Sequence, residues 1–251
     1  VLQKQKKIID LDLDCTAFAL PGNREKGHTL ITQIGSQLGT LESLRKLTVD
    51  FKGLADLVVD SDIKNVMGFM KNLSKLQSLD LSFKNCVKLS DQGIGYISGV
   101  VGSLTALKSL CLNFQDCKNI TDKGVETLKN TLKGAPSLEK LLLNFCDCSK
   151  ITDKTLEDLK EASFGLTKLT QLDLGFMFCS KISVTGLGEL LDMIKNFPNL
   201  RRLYLDLSWC EKITKESLKP FKEYLQTLTS LKSLELCYGS SKIISIEDLK
   251  K

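Results

Sequence analysis

The sequence predicts an α/β solenoid in which a parallel sheet lines a concave face and helices back it on the convex side, with about eight repeats of 31 residues. Two observations predict it. The phrase L-x-x-L-x-L-x-F-x-x-C-x-x-I recurs with starts at residues 76, 107, 138, 169, 200 and 231, each 31 residues from the last. Inside each copy the hydrophobic period then changes from two, the signature of a strand with one buried face, to about 3.6, that of a helix with one buried stripe.

The copies can be justified in order. Ile8, Leu11 and Leu13 open the series, with Cys15 in the phenylalanine slot, and Leu44, Leu47, Val49 and Phe51 form a second copy with Leu54 where cysteine is expected. Regular copies follow, such as Leu76, Leu79, Leu81, Phe83, Cys86, Leu89 and then Leu107, Leu110, Leu112, Phe114, Cys117, Ile120. A last copy keeps Leu231, Leu234 and Leu236 but has Tyr238, Ser241 and Ile244 in the later slots. Strands are therefore expected near residues 11, 47, 79, 110, 141, 172, 203 and 234. After Ile120, Val125, Leu128 and Leu132 carry helical spacing; Ser90-Asp91, Thr121-Asp122 and Thr152-Asp153 supply N-cap oxygens, and Gly93 and Gly124 admit a closely packed first turn. Strands stack every ~4.8 Å while helices are ~10 Å across, so the stack curves with the sheet inside. The repeats make residues 1–251 a single domain. Val1 is not Met, and the last helix stops at Leu249-Lys250-Lys251, so both ends are expected to be truncated.

The stretch L-x-x-L-x-L-x-F-x-x-C-x-x-I-T-D-x-G, read from Leu107 to Gly124, resembles the cysteine-containing leucine-rich repeat of F-box leucine-rich-repeat proteins. The 31-residue period is also similar to ribonuclease-inhibitor-like repeats, including those of some axonemal regulatory subunits. The resemblance implies a horseshoe and a role in binding other proteins. Within that role it leaves open a substrate-recognition module of an F-box-type ubiquitin ligase, or a structural subunit of a large assembly such as a cilium.

Composition and motifs exclude much chemistry. The single histidine, His28, follows Pro21-Gly22-Asn23 in what reads as a solvated polar loop, so no catalytic residues and no metal ligands are expected. Walker, G-x-S-x-G and H-E-x-x-H motifs are absent, and neither cofactor nor small-molecule substrate is expected. Five of the nine cysteines, Cys86, Cys117, Cys148, Cys179 and Cys210, share one repeat position and read as a buried ladder of free thiols. Unpaired thiols fit a reducing, cytoplasmic compartment, where the N-x-S/T triplets at Asn72 and Asn119 would be chance. Cys111 and Cys237 fall on concave positions and should be accessible. Phe51, Phe83, Phe114, Phe145 and Phe176 run in phase with the leucines and read as core, while Trp209 falls in a strand-to-helix turn with partial burial expected. No apolar run suits a membrane, and Lys123, Lys129, Lys154 and Lys160 read as a solvated helix face rather than a nucleic-acid site.

Residues alternating with the strand leucines face the concavity. Among these 24 positions eight are acidic and three basic, a net of −5 within a chain of +5. The partner-binding set expected from this pattern is Asp12, Asp14, Asp50, Asp80, Asp173, Asp206 and Glu235, with Arg202 and Tyr204 as central anchors. The expected partner is a basic protein or peptide, drawn in by an acidic trough.

Overall fold

A computed structural model describes residues 8–15, 24–240 and 242–249. Its nine strands form one open sheet in sequence order. The first half of the chain contributes β1 (Asp10–Asp14), α1 (Arg24–Leu38), β2 (Lys46–Asp50), α2 (Asp60–Met70), β3 (Ser78–Ser82), α3 (Asp91–Val101), β4 (Ser109–Asn113) and α4 (Asp122–Lys133). The second half adds β5 (Lys140–Asn144), α5 (Asp153–Ser163), β6 (Gln171–Gly175), α6 (Val184–Ile194), β7 (Arg202–Ser208), α7 (Lys219–Leu225), β8 (Ser233–Gly239), β9 (Lys242–Ser245) and α8 (Ile246–Leu249).

Every expected strand is present, and β1 to β8 pair in parallel, so that Leu47, Leu79, Leu110, Leu141, Leu172 and Leu203 lie side by side. Two features at the C-terminal end differ from the expectation. β9 turns back and pairs antiparallel to β8, and α8 is a single turn of four residues. Ser241, Lys250 and Lys251 lie outside the described residues, as do Pro21, Gly22 and Asn23.

The core follows from the period. Phe51, Phe83, Phe114, Phe145 and Phe176 are each 0% exposed and stack in series with centroids 5.2, 5.6, 5.5 and 6.0 Å apart. Burying such a side chain contributes about 1.5–3 kcal/mol through the apolar area removed from water. The ladder cysteines pack beside it and donate weakly to carbonyls of the preceding copy: Cys117 to Phe83, Cys148 to Phe114, Cys179 to Phe145 and Cys210 to Phe176.

A polar ladder joins the helix starts. Ser90, Thr121, Thr152 and Ser183 each cap their own helix, the hydroxyl accepting from the backbone N–H two residues on. Each also donates its backbone N–H and its hydroxyl to the aspartate that opens the previous helix, Asp60, Asp91, Asp122 or Asp153, at 2.6–2.9 Å. The glycines of the first turn answer to this carboxylate: a Cβ on Gly124 would lie 2.7 Å from Asp91 Oδ1, and one on Gly186 only 2.3 Å from Asp153 Oδ1. In α5 the same position is Thr155, which turns the near-collision into a hydrogen bond to Asp122 Oδ1 at 2.6 Å. Val184 replaces the aspartate at the start of α6, and the ladder goes no further.

His28 is not a loop residue. It lies on α1, and its Nδ1 sits 2.9 Å from Oδ2 of the buried Asp62 on α2. Asp62 also accepts the backbone N–H of Val59, so it holds the entry of α2 while His28 covers it. The convex lysines are likewise more tied than a solvated face: Lys129 and Lys154 both reach Asp158, Lys129 and Lys133 reach Glu161, and Lys160 pairs with Glu189. Carboxylates beside them hold Lys129 and Lys154 above the ordinary lysine value.

Candidate functional site

The concave face is built from three rows across the strands, called second, fourth and sixth for the number of residues by which each follows the start of its copy. In the sixth row, Asp50 Oδ1 accepts the backbone N–H of Lys52, Asn113 Oδ1 that of Gln115, Asn144 Oδ1 that of Cys146 and Asp206 Oδ1 that of Ser208, all at 2.9–3.0 Å. These side chains shape the turn that leaves each strand, as aspartate and asparagine do generally. Asp50 and Asp206 therefore have a structural duty besides their charge.

Row six has a gap at Gly175, between Asn144 on β5 and Asp206 on β7. A Cβ there would stand 2.9 Å from Asn144 Oδ1 and 3.0 Å from Cys146 Sγ. The missing side chain leaves a hollow of about 360 Å³ over β5 to β7, walled by Leu142, Asp173, Met177, Tyr204 and Asp206. Burial first, and then the Asp206 carboxylate, push the Tyr204 phenol above its ordinary value, so it remains a neutral hydrogen-bond donor.

The expected site residues separate at this point. Asp12, Arg202 and Glu235 are exposed, and Asp80, Tyr204 and Asp206 are half-buried. Asp14 and Asp50 flank each other across β1 and β2. Asp173 departs from the expectation: it is 7% exposed, its Oδ2 takes the Gln171 side-chain N–H at 3.0 Å, and its Oδ1 lies 3.4 Å from Arg202 Nε. Arg202 is thus a partner of Asp173 within the fold rather than an independent anchor, because a buried carboxylate requires a compensating cation. Cys237 departs as well, being 8% exposed, since β9 pairs along its strand and places Ile243 opposite it.

The strand-to-helix turns carry a further ladder. Asn85, Asp116, Asp147, Phe178 and Trp209 adopt φ between 59° and 66°, the left-handed region. Asparagine and aspartate tolerate it, whereas other L-residues lose roughly 1–2 kcal/mol there. Lys118 ties the acidic part of this rim together, 2.7 Å from Asp116 and 3.6 Å from Asp147. Trp209 is 46% exposed and stacks on Phe178, which is 44% exposed, at 5.6 Å between centroids. The departure of Phe178 and Trp209 from the Asn/Asp pattern is visible in the sequence once copies are aligned at this slot.

All nine cysteines lie among the described residues and are free thiols. Burial pushes Cys86, Cys146 and Cys210 up to about 12, and Cys15 and Cys237 to about 11. Burial also raises Cys111, with a hydrogen bond to Asp80 acting the same way, but it alone is partly exposed. Timed iodoacetamide labelling read by peptide mapping should therefore modify Cys111 first and leave the five ladder cysteines unmodified until the chain unfolds. Among the described residues no group of three or more His, Cys, Asp or Glu is placed to hold a metal ion, and no helix is long and apolar enough to cross a membrane.

A leucine-rich repeat family model matches residues 110–129. Among solved structures, the chain is similar to one from the crystal structure of the Rad7 and Elc1 complex in yeast, with 16% identity and a TM-score of 0.37, covering 84% of this chain and 59% of that one. It is also similar to a chain of the mouse RP105/MD-1 complex, with 20% identity and a TM-score of 0.25, covering 78% of this chain and 39% of that one. No curated protein matches the sequence.

Proposed function

We propose that this leucine-rich repeat chain is a non-enzymatic protein-interaction scaffold that receives a basic protein or peptide on its concave sheet. The observation that carries the reading is the segregation of charge, −5 on the concave strand positions within a chain of +5. A parallel sheet needs leucines on one face only, so the pattern of the repeat does not require acids on the other. Asp12, Asp50, Asp80, Asp206 and Glu235 lie on that face, and clustered like charge in a concavity focuses potential and speeds encounter with an oppositely charged partner. Asp173 supports the surface from within, paired with Arg202.

The test is capture with the intact chain, wild type against the triple variant Asp12→Asn, Asp50→Asn, Asp80→Asn. Asparagine is chosen because Asn113 and Asn144 already make the turn that Asp50 makes. Basic proteins held by wild type should be lost from the variant and released as salt rises. Capture that is identical for both forms would move the contact away from the acidic face.

A further inference from the structure

Phe178 and Trp209 break a rule that the rest of their ladder keeps. The left-handed turn is filled by Asn85, Asp116 and Asp147 in the earlier copies, residue types whose short polar side chains suit it. A phenyl ring and an indole ring gain nothing from that backbone, and burial does not compensate them, since each is more than two-fifths exposed. They spend the exposure on each other, stacking with their planes 12° apart. The result is an apolar shelf on the rim of the sheet. It adjoins the hollow, because Met177, which walls the hollow, is the residue before Phe178; the Trp209 backbone N–H donates to the Gly239 carbonyl and ties the other end of the shelf to β8.

Hollow and shelf offer complementary chemistry. The hollow presents the Asp206 carboxylate and the neutral Tyr204 phenol beside the apolar walls of Leu142 and Met177. Its own cation, Arg202, is engaged by Asp173. We infer that hollow and shelf together are the anchor for an extended segment of the partner, with an arginine or lysine side chain in the hollow against Asp206 and Tyr204 and a neighbouring apolar residue lying on Phe178 and Trp209. Charge selects this occupant. The charged groups that line the hollow are Asp173, Asp206 and Arg202, and Arg202 is taken by Asp173, so a cation gains from the Asp206 carboxylate and an acidic side chain is repelled by it. The walls accept the aliphatic stem of a long basic side chain, and the aromatic faces attract both cations and apolar groups. The inference rests on the proposed concave binding face and adds where on it the partner is gripped.

The probe is a short synthetic peptide in which arginine alternates with leucine, labelled with fluorescein and read by anisotropy at low salt, with citrulline replacing arginine in the control. Three forms of the intact chain are compared with wild type: Phe178→Asn with Trp209→Asn, Asp206→Asn alone, and the Asp12→Asn, Asp50→Asn, Asp80→Asn triple. Asparagine is native to the left-handed turn at Asn85 and to the strand end at Asn144, so the first two variants should melt at or above the wild-type temperature. The expected result is saturable binding of the arginine peptide to wild type, weaker by about ten-fold or more for the citrulline peptide, for the 178/209 variant and for Asp206→Asn.

A 178/209 variant that melts well below wild type would make the aromatics structural and overturn the inference, and so would one that binds the probe as wild type does. Equal binding of the citrulline peptide would overturn the cation. Binding that is lost in the triple variant and intact in the 178/209 variant would leave the acidic face standing and remove the anchor, whereas no binding to wild type would remove both.

Discussion

Replacing Phe145 by alanine should destabilise the protein by about 3–5 kcal/mol, the range for a large aromatic removed from a core that cannot collapse around the void. Phe145 is fully buried and stacks on both sides, against Phe114 at 5.5 Å and Phe176 at 6.0 Å. In a solenoid each repeat touches only its neighbours, so this lesion weakens two interfaces. Among the described residues Phe51 stacks on Phe83 only, and Phe51→Ala should cost less. Urea melts of the two variants give the comparison. Losses that are equal and below about 1 kcal/mol would mean that the phenylalanine ladder does not carry the packing assigned to it.

Asp122→Ala should cost about 2–4 kcal/mol, a large effect for a half-buried polar side chain. Its carboxylate accepts the Thr152 backbone N–H at 2.9 Å, the Thr152 hydroxyl at 2.8 Å and the Thr155 hydroxyl at 2.6 Å. Removing it orphans the partly buried N–H that starts the next helix, and an unmade bond of that kind costs about 1–3 kcal/mol before the hydroxyls are counted. The hydroxyls can rotate to other acceptors, but the N–H cannot. A variant that melts within about 0.5 kcal/mol of wild type in urea would mean that the ladder between repeats is incidental.

The strands were legible because two independent signals, the alternation of leucines and the 31-residue spacing, agree at every regular copy. The caps were legible for the same reason, since Ser90-Asp91 and Thr121-Asp122 recur in register. Their second duty, bridging one repeat to the next, was not, because it depends on how far the following strand displaces its helix. β9 escaped because Lys242-Ile243-Ile244-Ser245 is too short to show alternation, and Ile244 reads as the last slot of the eighth copy. Charge on the concave rows was readable from parity alone, but the fate of each acid was not. Asp173 is buried because Gln171 and Arg202 close over it, and Arg202 reaches it from the neighbouring strand. The hollow exists because one residue in row six, Gly175, has no side chain, a consequence that appears only when Asn144 and Asp206 stand on either side of it.

The central claim is that the acidic concave face draws in a basic partner by charge. It is tested most directly by the association rate of a captured partner as a function of ionic strength, measured for wild type and for the Asp12→Asn, Asp50→Asn, Asp80→Asn variant. Between 0.01 M and 0.15 M salt the screening length falls from ~30 Å to ~8 Å. The wild-type rate should fall steeply over that range, by about ten-fold or more, and the variant should start lower and fall less. Rates with the same salt dependence in both forms would contradict the claim.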